Sequence, residues 1–250
     1  MAEVAFPVAV AQAWTTELAA LDSAWQGGDA ATPAVVQASL AEWRIRLDRL
    51  QTTSEEMLDV VDAAGGPRGW TAPRWFCHLT GLRHRVVHLF LTSPQGHLVL
   101  QMRAADKAEW PQHFDTTVGG HLKAGQDWYE GALGEIGEEL GLATAVVEKW
   151  LVGGRLYLVG PVYERHGVSR DLPPIRNRQV NQTFAGELTE WGLAHLHFAD
   201  GEVAGVYLCP PAEVQRMIAN DFLVAPGLRH AFPRWWDWRF PPDLRETPST

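Results

Sequence analysis

Residues 118–142 read VGGHLKAGQDWYEGALGEIGEELGL, and the reading of this stretch decides the fold. Glu135, Glu138 and Glu139 recur at spacings of three and four, which share one face of a helix. Carboxylates placed in this way repel one another. Gly131, Gly134 and Gly137 each cost about 1 kcal/mol relative to alanine inside a helix. A helix built for stability alone would carry neither feature. One explanation is a solvated acidic face, the commoner fate of a charge run. The other is a set of oxygen ligands for a hard divalent cation such as Mg2+ or Mn2+. The surroundings favour the cation. Gly119, Gly120 and Gly125 bound a loop that joins a strand, FDTTV, to the helix. Glycines there permit a tight turn and a close approach of backbone to a ligand. Gly141 stands where a glycine stops a helix.

The rest of the chain sets limits on this site. It has 250 residues, enough to bury a real core, and 20% of them are charged, as in ordinary globular proteins. The net charge of −9 argues against nucleic acid or an anionic membrane as partner. A small anionic substrate would then need a local cation or an arginine. Two cysteines, Cys77 and Cys209, are too few for a disulfide framework, so a cytoplasmic location is expected. No apolar run reaches the ~18 residues of a membrane span. The opening MAEVAFPVAVAQAW has no basic leader and is not expected to be a secretory signal.

Hydrophobic spacing predicts helices over 8–25 and 34–50, separated by Gly27-Gly28-Asp29. From about 56 the pattern turns to strands. A hairpin is expected over MLDVVDAAGGPRGW, and two more strands around a Ser-Pro-Gln-Gly turn in HRVVHLFLTSPQGHLVLQMRA. Further strands are expected at 154–163, 180–188 and 203–208, and a last helix at 211–220. The expected class is α/β or α+β with a mixed sheet. The expected organisation is an N-terminal helical extension over 1–53, a main domain over 54–222, and a Trp- and Pro-rich tail over 223–250 without a pattern of its own.

The glycine loop and acidic helix resemble the Nudix hydrolase family. Its signature is Gly, five residues, Glu, seven residues, then Arg-Glu-apolar-x-Glu-Glu-x-Gly-apolar. Gly120, Glu135, Ile136, Glu138, Glu139, Gly141 and Leu142 fall in register. Two positions depart: Gln126 replaces the first glutamate and Gly134 the arginine, a pair that braces the loop in the family. The resemblance implies an α/β/α sandwich. It also implies that Glu135, Glu138 and Glu139 hold Mg2+ or Mn2+, and that the chain cleaves a small-molecule diphosphate by water attack, with Glu138 or Glu139 orienting or deprotonating the water. A weakened, ligand-binding member of the family is the alternative, with Gln126 and Gly134 as its support.

The flanks, over roughly 55–215, resemble the branch that includes isopentenyl-diphosphate isomerase, through His78, His84, Arg85, Gln101, Arg103, Lys107, Trp110-Pro111 and the Gly-Gly-His turn. His78, His84 and His121 match metal-binding positions there, but each also suits an ordinary local hydrogen bond. Isomerisation itself is disfavoured. Residues 116–120, Thr-Thr-Val-Gly-Gly, lack its cysteine, and Asn177 and Gln179 stand where its acids would be. Arg85, Arg103, Gly120 and Lys123 are the candidates for holding the substrate's phosphates. Glu202 is a candidate base, and Trp235, Trp236 and Trp238 are candidates for an aromatic surface. A homodimer is compatible with the sequence.

Overall fold

A computed structural model describes residues 56–107, 109–168, 176–198 and 201–241. The helices expected over 8–25 and 34–50 lie outside the described residues. The described chain is α+β, built on a mixed sheet as expected. It divides into two compact units. No helix among the described residues is long and apolar enough to cross a membrane.

The first unit takes Met1–Arg85, Leu122–Gly125 and Tyr163–Asn181. Its described part opens with strands β1 (Met57–Val61) and β2 (Pro67–Pro73), the expected antiparallel hairpin. Asp62 makes the turn, its Oδ1 accepting the amides of Ala64 and Gly66, both at 2.9 Å. Helix α1 (Arg74–Thr80) follows and stops at Gly81, whose φ of 75° is left-handed. The unit also holds the first residues of β3 (His84–Thr92), the end of β7 (Tyr157–Val168) and the start of β8 (Arg176–Glu187). Near the end of β7, one carboxylate oxygen of Glu164 accepts from Arg83 at 2.7 Å and Arg178 at 2.8 Å. Burial tends to raise the Glu164 pKa, but the two arginines prevail and hold it below the usual value.

The second unit takes Val86–His121, Gln126–Val162 and Gln182–Thr250. The main sheet runs in the order β5-β4-β3-β8-β7. Here β4 is Leu98–Arg103 and β5 is Phe114–Asp115. Strand β6 (Val118–His121) pairs with β3, and β9 (Val203–Cys209) pairs with β4. The helices are α2 (Trp128–Leu140), α3 (Val147–Trp150), α4 (Glu190–Ala194), α5 (Pro211–Ala219) and α6 (Pro226–Arg239).

Helix α6 corrects the expectation of a patternless tail. Leu228, Ala231, Phe232 and Trp235 recur at i, i+3, i+4 and i+7, and all join the core with Phe90, Leu98 and Leu100. Trp235 is 1% exposed, its ring 5.6 Å from that of Phe90. It is therefore core, whereas Trp238 is surface, 40% exposed beside Tyr157. Pro226 occupies the first turn, where its missing N–H is harmless. Pro233, inside the helix, obscured the stripe, because an interior proline normally argues against a helix.

In the first unit, the rings of His78 and His84 lie 5.1 Å apart. The Nδ1–H of His84 donates to the Leu82 carbonyl at 2.9 Å. Burial lowers the pKa of both rings, that of His84 from 6.5 to about 4. The unfolded chain thus takes up a proton at His84 that the folded protein refuses. Stability from this group is complete above 6.5 and lost as pH falls toward 4, by at most about 1.4 kcal/mol per pH unit. Urea unfolding is expected to show this loss between about pH 7 and about pH 5. His84→Gln, which keeps a donor and cannot charge, is expected to flatten that part of the profile.

Candidate functional site

The site in the second unit begins at β6. Val87 stands opposite Gly120 and His88 opposite Gly119 in an antiparallel ladder. The two glycines therefore belong to a strand, which corrects their assignment to a loop. Neither has a positive φ, so no turn explains them. A close approach does explain Gly120. A Cβ placed there would collide with the whole Glu135 carboxylate, whose farther oxygen would lie only 2.7 Å away. The Glu135 side chain thus occupies the space that any other residue at 120 would fill.

Helix α2 carries that carboxylate. Asp127 caps its start, accepting the amides of Tyr129 and Glu130, both at 2.8 Å. Glu130 returns a bond from the Asp127 amide, which completes a capping box. Gly141 closes the helix in the left-handed region with φ 68°, as expected. A side chain there would also strike the His197 carbonyl at 2.8 Å. Ala132, Ile136 and Leu140 are buried at its core face.

The three acids are graded in depth. Glu139 is 5% exposed, Glu135 is half-buried, and Glu138 is exposed. Three hard oxygen donors on one helix, one nearly buried and one seated against a glycine, suit a divalent cation in kind. A nearly buried carboxylate also needs a compensating partner to remain charged.

The two altered signature positions face each other. A Cβ on Gly134 would meet the Gln126 Nε2 at 3.6 Å, an ordinary contact. A neutral amide and a glycine therefore stand where the family has an ion pair. Gly137 has similar clearance, 3.7 Å from the Leu142 carbonyl. Neither glycine is required by a clash.

In the first unit, Leu122–Gly125 is fastened by other means. The Leu122 amide donates to Arg85 O at 3.0 Å and the Ala124 amide to Met57 O at 2.8 Å. The Asp59 carboxylate accepts from both Arg85 Nη2 at 2.7 Å and the Gly125 amide at 2.9 Å. Arg85 is 5% exposed. Its Nη2 is thus engaged in a buried ion pair with Asp59. Asp59 was missed in the sequence; its signal, one acid in the apolar strand MLDVV, is weak.

Arg103, in the second unit, is likewise engaged. Its guanidinium donates to the carbonyls of Glu109 and Trp110 and lies 3.7 Å from Asp115. It holds a loop in which Trp110 and Gln112 both have positive φ. Glu202 pairs with Lys107 at 2.9 Å. Lys123 is exposed in the first unit, and His121 ends β6 in the second.

A profile of the NUDIX domain matches residues 82–234, more than half of the chain. An uncharacterized Nudix hydrolase of Streptomyces coelicolor is 37% identical over 95 residues, covering 38% of this chain and 52% of the relative. An isopentenyl-diphosphate Delta-isomerase of Streptomyces griseus is 35% identical over 97 residues, covering 38% of this chain and 49% of the relative. The chain thus spans about half the length of these two curated relatives. The crystal structure of DR0079 from Deinococcus radiodurans matches with a TM-score of 0.52 at 21% identity, covering 72% of this chain and 98% of that one, a likeness of fold.

The glycines of this site make opposite predictions. Gly120→Ala is expected to displace Glu135 and weaken Mn2+ binding by calorimetry at least about tenfold, or about 1.4 kcal/mol. Gly134→Ala has room for its methyl group and is expected to raise unfolding stability by about 0.5–1 kcal/mol. Thermal unfolding of the two variants checks the contrast.

Proposed function

The chain belongs to the NUDIX-domain family, and from that premise we propose that it is a divalent-metal-dependent hydrolase of small-molecule, X-linked diphosphates. The observation that carries this reading is the Glu135 carboxylate seated against Gly120, on the same helix as the nearly buried Glu139. In this reading Glu135, Glu138 and Glu139 hold Mg2+ or Mn2+. Such an ion neutralises charge on a diphosphate and lowers the pKa of bound water. The chain's own part is to position and to take a proton. Exposed Glu138 is the carboxylate best able to reach a water from solvent, with Glu139 fixed beside it as the deeper ligand. Gly120 keeps the strand backbone clear for the acid. Among the sequence candidates for phosphate, Lys123 is an exposed cation of the first unit. Arg85 and Arg103 are assigned to the fold, given their committed donors.

The second reading, a binding protein without turnover, is favoured by Gln126 lying against Gly134, which leaves no ion pair across those positions. Isomerisation is not proposed. Both thiols are buried and their pKa values pushed up, that of Cys209 to about 11. Asn177 and Gln179 cannot act as acid and base at neutral pH.

Phosphate release from nucleoside, sugar and prenyl diphosphates, with Mg2+ or Mn2+, separates the two readings. Hydrolysis of at least one substrate is expected, and Glu138→Gln is expected to lower its rate by roughly 10²–10⁴-fold. Tight binding with no release from any substrate would establish the binding protein instead.

A further inference from the structure

Along β8, Asn177, Gln179 and Asn181 alternate onto one face, giving a row of three amides in the first unit. Asn181 is fully buried and its Nδ2 is spent on backbone, donating to Tyr163 O at 3.2 Å and Gln179 O at 3.0 Å. The other two amides differ. The Oδ1 of Asn177 and the Oε1 of Gln179 are buried and accept no hydrogen bond among the described residues. Gln179 as a whole is only 5% exposed. Burying an amide oxygen without a donor is unfavourable, and folded proteins rarely do so without a reason. Two such oxygens, two residues apart on one strand face, point to a ligand that supplies the donors. Amide oxygens can ligate a hard cation, but two neutral oxygens bring no charge to offset one, and an uncharged donor matches them directly. The unsatisfied atoms are acceptors, so they offer nothing to an anion.

We propose that Asn177 and Gln179 form a recognition site for a neutral, hydrogen-bond-donating group, the chemistry shared by a sugar hydroxyl and a nucleobase amine. An alkyl or alkenyl group would leave both oxygens unsatisfied, and a site built to bond a donor strongly rejects an analogue that lacks it. The proposal does not depend on turnover or on metal, because binding alone reads it.

Saturation-transfer NMR and calorimetry on the full chain, without metal, test it with three probes: ribose, adenine and 3-methylbut-3-en-1-ol. Ribose or adenine is expected to bind, and whichever binds identifies the source of the donor. The alkenol is not. Gln179→Met and Asn177→Leu are each expected to weaken that binding at least tenfold. Thermal unfolding supplies the second reading. Replacing an unsatisfied buried acceptor by an apolar group of similar volume is expected to leave the melting temperature unchanged or raised, so folding is not at risk. A purely structural role would lower it. The proposal falls if neither ribose nor adenine binds, if binding survives both substitutions, or if both variants melt lower with no loss of binding.

Discussion

A missing side chain governs the arrangement of the acidic helix. Gly120 leaves open a space on β6, and the carboxylate of Glu135 occupies it. Helical geometry then places Glu138 and Glu139 relative to Glu135. With Glu135 seated against the strand, a residue four positions on lies along the same face, and there Glu139 is nearly buried. A residue three positions on lies beside them, and there Glu138 is exposed. The three acids differ in depth along one helix. This gives chemically identical side chains different access to water. The capping box of Asp127 and Glu130 and the left-handed stop at Gly141 fix the two ends of the helix.

The first unit solves a different electrostatic problem. Its buried Arg85 is tolerable because Asp59 lies beside it, and the same carboxylate also takes the Gly125 amide. One acid on a short hairpin strand therefore both neutralises a cation and fastens the glycine loop. The amides of β8 complete the contrast. In Asn177 and Gln179 each side chain buries an acceptor that takes no hydrogen bond from a described residue.

Local chemistry was legible in the sequence where it was periodic or carried by glycine. The hairpin at β1–β2, the strands around Ser-Pro-Gln-Gly, helix α2 and its stop at Gly141 all follow from alternation, helical spacing and turn residues. Two readings failed for identifiable reasons. Gly119 and Gly120 look like a turn because glycines usually are one; that Gly120 serves a close approach within a strand depends on the partner across the sheet, which no local pattern encodes. Helix α6 was hidden by Pro233 and by a density of tryptophans that suggests a surface, although Leu228, Ala231, Phe232 and Trp235 keep strict helical spacing. The commitments of Arg85 and Arg103 were out of reach. A guanidinium able to grip phosphate and one locked onto Asp59 or a loop carbonyl are the same letter in a sequence.

The stretch that defines the family does not coincide with the stretch that can fold. The profile match starts at Leu82 and stops at Arg234. A fragment trimmed to those limits would discard Asp59 and leave the Arg85 cation buried without its counter-ion. At the other end it would remove Trp235, one residue beyond the cut, whose indole packs against Phe90. The hairpin ahead of the match and the last turn of the final helix each supply a buried partner to a residue inside the match, so expression boundaries for this protein belong outside both.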